Sequence, residues 1–441
     1  MQANLLLNSP FQYSFLFIAA LIAFTISFIK TDFALVILIF SMLISPEISS
    51  GAIPGREVVI RLDDIFLLVI FLGWLAKMAI NKELGLLRIT SLNRPILAYI
   101  GICIVASVLG AIRGTNNPFH SLFYLLKYFE YFLIYFMVTN NIKEKNQIRN
   151  FTYLMLFVCF IVNTYAMTTA SYYGRVTAPF EGKFGEANTL AGYLLVIIGI
   201  VLGILLYSRS LTRNLILSSL LLYSFYVFFH TGSRGGMLGL IVVLMTFLAL
   251  SRRNRVILLL CLVSGIIIFP WVAPKETLRR YKSTFQSGWQ YQKSIEIFGR
   301  KIELDDSASE RIRSLKNSLR LWSEYPILGR GVPGGGVVSD VQYTRVLREV
   351  GIVGFLIFLW MLVALFRMGW RVFKGEEMDD FGKGLSLGFI ACFTGLLAMG
   401  VSSEVFIIIR IMEPFWFLAA MVAVLPELQT SSPQVDPLAM V

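Results

Sequence analysis

The spacing of the apolar runs limits most strongly what this chain can fold into. They fall at about Phe15–Ile29, Phe33–Ile44, Ile65–Ile80, Pro95–Ala111, Leu122–Val138, Phe151–Ala170, Leu190–Tyr207, Leu215–Phe229, Gly235–Leu250, Val256–Val272, Gly351–Phe366, Leu385–Val401 and Phe406–Val424. A perpendicular span takes about 20 apolar residues; several runs are shorter, so the first pair reads as a compressed hairpin and the total as about 12 or 13 transmembrane helices. Of 441 residues 56% are hydrophobic and only 15% charged, a balance that demands lipid as solvent. The expected fold is an all-α polytopic membrane protein. Residues 1–427 form one integral membrane domain, residues 273–346 a long extracytoplasmic loop, and residues 428–441 a disordered cytoplasmic tail. The first run lacks the basic flank and cleavage site of a signal peptide and is expected to remain as an anchor.

Lysine and arginine positions orient the chain. Lys82, Arg88 and Arg94; Lys143, Lys145 and Arg149; Arg209 and Arg213; Arg252, Arg253 and Arg255; and Arg367, Arg371 and Lys374 all fall in alternate connections, as one cytoplasmic side requires. Ser45–Asp64, Gly110–His120, Ser171–Glu186, His230–Arg234 and the long insertion are then extracytoplasmic. The net charge of +12 reads as a topology signal and an attraction to anionic headgroups, not as a sign of nucleic acid. The four cysteines (Cys103, Cys159, Cys261, Cys392) sit in apolar runs and read as small buried hydrophobes. His120 and His230 are too few for a histidine metal centre, although carboxylates alone can hold a divalent ion.

The polar stretch Ala308–Gly354 looks built for chemistry. Ile312, Leu315, Leu319 and Trp322 recur every three or four residues, with Arg311, Arg313, Lys316 and Arg320 on the rest of the turn, which predicts an amphipathic basic helix. Tyr325-Pro326 ends it, because proline disfavours helical backbone in the residue before it and donates no hydrogen bond. A glycine-dense turn, Gly329 to Gly336, lets backbone N–H groups approach an anion, and a second helix is expected from about Val341. Gly329, Gly331 and Gly334 spell a formal GxGxxG, but no βαβ unit surrounds it, so a dinucleotide site is rejected.

Arginines also stand in the outer loops, where the charge rule gives no reason for them. Single ones are explained by snorkelling to headgroups; the set is not. Arg234 sits in a Gly-Ser-Arg-Gly-Gly turn that opens a helix, whose N-terminus adds partial positive charge. Guanidinium forks suit phosphate oxygens, and several suit a diphosphate. Arg175, Arg234, Arg311, Arg313, Arg330 and Arg345 are the candidate ligands. An extracytoplasmic diphosphate at a membrane suggests a polyprenyl-diphosphate-linked sugar.

At these residues the chain resembles the O-antigen ligase and polymerase superfamily. The matching pieces are FEGKFGEANTLAGY at Phe180–Tyr193, TGSRGGMLGL at Thr231–Leu240, SERIRSLKNSLRLWSEYPILGRG at Ser309–Gly331 and VQYTRVLREVGIVG at Val341–Gly354. The resemblance implies a GT-C-like, inverting glycosyltransferase of a bacterial inner membrane. It would work on the periplasmic face with a polyprenyl-diphosphate-linked glycan donor and a glycan or lipid-linked acceptor, without metal or other cofactor. A chain-length regulator and a flippase are implied as further partners. Family ligases carry a histidine-asparagine pair just before the tyrosine matched by Tyr343; Asp340-Val341 stand there instead. That favours a polymerase of O-antigen or exopolysaccharide, with ligation to lipid A-core as the alternative.

Transfer from a diphosphate needs stabilisation of the departing charge, which arginines supply, and a base for the acceptor hydroxyl. Asp340 is the first candidate base, with Glu349 and Glu186 in reserve. Asp340 also suits a helix N-cap, and Glu349 an i, i+4 pair with Arg345. His230 reads as an interfacial residue or a phosphate contact. Arg410 and Glu413, charged within the last apolar run, default to functional or paired roles; at i, i+3 they can pair with each other and rank below the loop arginines. A transporter of lipid-linked glycan or anion is the reading from another class; it would be expected to show repeated halves and helices broken near the midplane.

Overall fold

The computed structural model describes residues 10–53, 56–83, 87–169, 175–180, 186–251, 255–256, 259, 278, 293–297, 300–304, 306–334 and 341–430. In order these form α1 (Pro10–Ile29), α2 (Thr31–Ile44), strands β1 (Glu47–Ile53) and β2 (Arg56–Arg61), α3 (Leu62–Ile80), α4 (Asn93–Ile112), α5 (Pro118–Asn141), α6 (Lys145–Thr169), α7 (Ala187–Tyr207), α8 (Leu211–Thr231) and α9 (Arg234–Leu250). Then come β3 (Lys293–Ile297), β4 (Arg300–Leu304), α10 (Asp306–Glu324), α11 (Gln342–Lys374), α12 (Asp380–Met399), a 3-10 turn at Val405–Ile407 and α13 (Ile409–Thr430).

The chain is an α-helical polytopic membrane protein. Among the described residues eight helices, α4 to α8 and α11 to α13, are long and apolar enough to cross a membrane; Leu16–Ile29, α2 and α9 are shorter apolar helices. The run Val256–Val272 and Cys261 lie almost wholly outside the described residues, as do residues 431–441 of the expected tail. Two hairpins were not expected from the sequence: β1 pairs antiparallel with β2 from Glu47↔Arg61 to Ile53↔Arg56, and β3 with β4 from Lys293↔Leu304 to Ile297↔Arg300. Both lie in connections between helices, where paired strands satisfy backbone groups that no helix does.

Burial separates centre from rim. About 83% of the spanning windows of α7 and α13 and 78% of that of α12 are buried, against 28% for α8, so the first three form the core and α8 faces lipid. The α7–α12 seam is made by glycine. A Cβ on Gly199 would lie 2.8 Å from the Gly388 carbonyl oxygen and 2.8 Å from Cys392 Cβ, and one on Gly384 would lie 2.7 Å from the Gly203 oxygen. Gly239 brings α9 equally close to Gly395. Without a hydrophobic drive between helices in lipid, such backbone approach is a main source of cohesion.

The two ends of the bundle differ in charge. At one end Arg88 pairs with Glu427 (3.1 Å), Lys145 and Arg149 with Asp379 (2.9 and 3.1 Å), and Arg209 with Asp380 (3.1 Å). Asp379 also caps α12 by accepting from Gly382 N. Burial pushes its carboxyl up, but Lys145, the Gly382 N–H and Arg149 outweigh this and hold it below the usual carboxylate range. Three of the basic connections read from the sequence as one side, those of Arg88, of Lys145 and Arg149, and of Arg209, thus carry ion pairs to the carboxylates at Asp379, Asp380 and Glu427. The other end gathers the hairpin β1–β2, residues 175–180, the 231–234 turn and the insertion.

Candidate functional site

The site is built at that second end from two glycine-containing turns. In the first, Gly232 takes a left-handed backbone (φ 57) to end α8, and Ser233 caps α9. The Ser233 hydroxyl accepts from Gly236 N (3.0 Å) and donates to Asn188 Oδ1 (2.6 Å), which ties the turn to the first turn of α7. Gly236 lets the turn sit on α7, since a Cβ there would lie 2.8 Å from Ala191 Cβ. Residues 175–180 dock on the same turn: Val176 N donates to the His230 carbonyl (3.2 Å) and Arg175 Nε to the Thr231 carbonyl (2.9 Å). Arg175 is therefore fixed beside the turn that places Arg234, half-buried, at the N-terminus of α9. Glu186 is exposed, one residue ahead of α7. His230 binds the carbonyl of Tyr226 in its own helix through Nδ1 (2.8 Å).

The second turn follows α10, which ends at Glu324 just ahead of Tyr325-Pro326. Helix α11 is broken at Gly351 (φ 66, ψ −169), and the segment Pro326–Gly331 fills the break. Ile352 N and Val353 N donate to the carbonyls of Pro326 and Ile327, while Arg330 N and Gly331 N donate to those of Arg348 and Glu349 (2.9 Å each). Only glycine fits at these crossings. A Cβ on Gly329 (φ 68) would lie 2.5 Å from the Glu349 carbonyl, and one on Gly351 would run into that of Ile327. The far side of the turn is pinned to the α4–α5 connection. Thr115 donates to the Arg330 carbonyl (2.8 Å), Ser121 to that of Val332 (2.6 Å), and Val332 N to Ser107 Oγ (3.1 Å). The sequence suggested an anion approaching these N–H groups; the structure spends those of Arg330, Gly331 and Val332 on protein oxygens.

Between the two turns lies a buried ion-pair group. Arg345 Nε meets Glu349 Oε1 (2.7 Å), its second arm pairs with Glu404, and Tyr128 donates to Glu349 Oε2 (2.9 Å). Arg345 and Glu349 are 4% and 1% exposed, and the i, i+4 pair read from their spacing is formed. Their carboxylate–guanidinium contacts hold the 400–408 connection on α11, as do Gln342 N to Gly400 O (3.0 Å) and Phe406 N to Gln342 Oε1 (3.0 Å). Arg348 is fully buried, with its Nη1 3.5 Å from Ser318 of α10. Arg311 lies seven residues before Ser318, on the same face of α10, and is half-buried; Arg313 is exposed. Arg330 pairs with Glu324. Asp340 lies outside the described residues.

Sequence reasoning missed a second charged group at this end, formed by Arg61, Asp63, Asp64, Glu130, Arg410 and Glu413. Arg61 Nη2 lies 2.7 Å from Asp63. Burial alone would push the Arg61 guanidinium down; Asp63, Glu413, Asp64 and Glu130 outweigh it and keep the charge on. Arg410 does not close the i, i+3 pair with Glu413. It donates instead to the carbonyls of Pro179, Ser45 (3.3 Å) and Leu43 (3.5 Å). Acidic residues inside apolar runs, Asp63-Asp64 and Glu130, were the available signal.

No curated protein matches the chain. A family model described as O-antigen ligase matches residues 219–359, from within α8 through the insertion into the first half of α11. This segment holds both turns and the Arg345–Glu349 pair, and its similarity to that family supports the O-antigen ligase and polymerase superfamily.

Proposed function

We propose that the chain is an inverting glycosyltransferase that polymerises polyprenyl-diphosphate-linked oligosaccharide units into O-antigen or exopolysaccharide on the periplasmic face of a bacterial inner membrane. The observation that supports it is the docking of Arg175 on the Thr231 carbonyl (2.9 Å), beside Arg234 at a helix N-terminus. Two guanidinium groups and a helix dipole at one point suit a departing diphosphate. Arg311, on the α10 face that meets α11, and Arg313 and Arg330 are the further ligands of this reading. Asp340 is its base for the acceptor hydroxyl, with Glu349 and Glu186 in reserve. A free aspartate, near pKa ~3.9, is a weak base, so this role needs a partly desolvated site or works mainly by positioning the acceptor. No metal ion or other cofactor enters the reading.

An aspartate at position 340, where family ligases carry histidine, favours polymerisation. The ligase description of the matching family favours the second reading, transfer to lipid A-core. Purified protein given a polyprenyl-diphosphate oligosaccharide, with and without lipid A-core, separates them. Polymer from donor alone supports the first reading and product only with lipid A-core the second; an intact donor in both arms removes both. The side is tested by single-cysteine labelling with an impermeant reagent. A site near Arg313 is expected to react from outside and one near Arg253 only from within; reaction of both from one side overturns the orientation.

A further inference from the structure

The end of the bundle opposite the two turns holds a cavity of about 280 Å³ that takes no part in the glycan reading. Four helix ends enclose it: Arg149 near the start of α6, Tyr207 and Ser208 at the end of α7, Arg213 in the first turn of α8, and Asp379 and Asp380 where α12 begins. Its apolar lining is Ile204 and Phe381, both buried.

The charges around this cavity do not balance. Oδ2 of Asp379 receives both Lys145 (2.9 Å) and Arg149 (3.1 Å), while its Oδ1 caps α12, so one carboxylate serves two cations. Arg209 and Asp380 neutralise each other (3.1 Å). Arg213 uses only its Nε, on the Ser208 hydroxyl (2.8 Å). Four cations thus face two carboxylates. Donors are left over as well: among the described residues the outer nitrogens of Arg213, Nη1 of Arg149 and the hydroxyl hydrogens of Tyr207 and Ser208 have no protein acceptor. Guanidinium forks and hydroxyls around one small cavity, with the N-terminal dipole of α8 beside them, suit a phosphate group.

The surroundings indicate what carries that phosphate. Pockets for drug-sized ligands begin at roughly 300 Å³, so the cavity fits a phosphate with a small substituent better than a nucleotide. Beside it α8 faces lipid, with Leu211, Leu215, Ile216 and Leu222 all 63–76% exposed, an apolar strip that acyl chains can cover. A zwitterionic headgroup brings no net charge to offset the excess cations; an anionic one does.

We propose that this cavity binds the phosphate of an anionic phospholipid, held by Arg149, Arg213, Tyr207 and Ser208, with its acyl chains along α8. The bound lipid ties α8, the least buried of the eight spanning helices among the described residues, to α6, α7 and α12.

The test uses the full-length protein, delipidated in detergent and titrated with short-chain phosphatidylglycerol, short-chain phosphatidylcholine or inorganic phosphate. Native mass spectrometry reads binding and the melting temperature reads stabilisation. Phosphatidylglycerol should be retained and should raise the melting temperature where phosphatidylcholine does neither. Equal effects of the two lipids overturn the anion site, and protection by inorganic phosphate equal to that by phosphatidylglycerol overturns the lipid as its source. Arg213→Gln loses only a bond to a hydroxyl in its own connection, so it should fold, and it should weaken phosphatidylglycerol binding about ten- to a hundredfold. Tyr207→Phe keeps the ring against Phe373 and should weaken binding roughly two- to tenfold; it decides the matter alone should Arg213→Gln not fold. Arg371→Gln, at the same end but outside the cavity lining, is the control. A loss there equal to that in Arg213→Gln reduces the effect to surface charge and overturns the site, as does wild-type affinity in both cavity variants. None of these readouts depends on glycan transfer.

Discussion

The turn at Gly232–Gly236 and the turn at Gly329–Gly334 look alike in the sequence: glycine, an arginine between, a helix after. They do opposite things. The first keeps its arginine at a helix N-terminus and uses glycine for a left-handed residue and for close packing on α7. The second uses glycine so that one backbone can cross another, and its N–H groups at Arg330 and Gly331 go to the carbonyls of Arg348 and Glu349. Glycine beside arginine is therefore a sign of close backbone approach, and whether a ligand or the protein itself approaches has to be read from where the N–H groups go.

If the second turn is a clamp, breaking it should cost the fold before it costs chemistry. Gly351→Ala combines a left-handed backbone with a Cβ against the Ile327 carbonyl, so a loss on the order of 3–5 kcal/mol is expected. Thermal unfolding in detergent measures it, and a variant as stable as wild type would dissolve the distinction between the turns. Just beyond the clamp, Asp340→Asn keeps a side-chain oxygen for capping but cannot accept a proton at neutral pH. It should reach the membrane normally yet lose about 10²–10⁴-fold in glycan transfer. Transfer at the wild-type rate would make Asp340 a cap only.

The first turn should respond the other way. Arg175→Lys and Arg234→Lys keep the charge and lose the fork, so each should lower transfer about ten- to a hundredfold, from the roughly 1.5–3 kcal/mol of a charged hydrogen bond. Membrane abundance, read by quantitative blotting, should not change. Full activity in both would leave the first turn without a functional difference from the second. The smallest effect is expected at Ser233→Ala, which removes the cap of α9 and the tie to Asn188 for about 1 kcal/mol of stability, seen as a modest drop in melting temperature.

Much of this was legible because it is local. The apolar runs mark the spans, the stop at Tyr325-Pro326 marks the end of α10, and the i, i+4 spacing of Arg345 and Glu349 foretold their pair. What was not legible depends on contacts across the sequence. Gly351 sits inside an apolar pattern that reads as continuous helix, and its break makes sense only once the backbone of Pro326–Gly331 occupies it. Arg410 and Glu413 have the spacing of a pair, yet the guanidinium reaches carbonyls at the end of α2 and at Pro179. Of the candidate site, Arg175 docks on the Thr231 carbonyl beside the turn that carries Arg234, while Arg345 and Glu349 turn inward because Glu404 of the 400–408 connection and Tyr128 of α5 face them.

The glycine seam between α7 and α12 also bears on how such a protein can change. Where one helix backbone already rests on another, at Gly199, Gly203, Gly384 and Gly388, no smaller residue exists to be substituted, and any larger one wedges the pair apart. The scaffold has one admissible spacing. A descendant of this fold cannot make room by loosening this core, so larger changes have to be taken up in the connections at the helix ends.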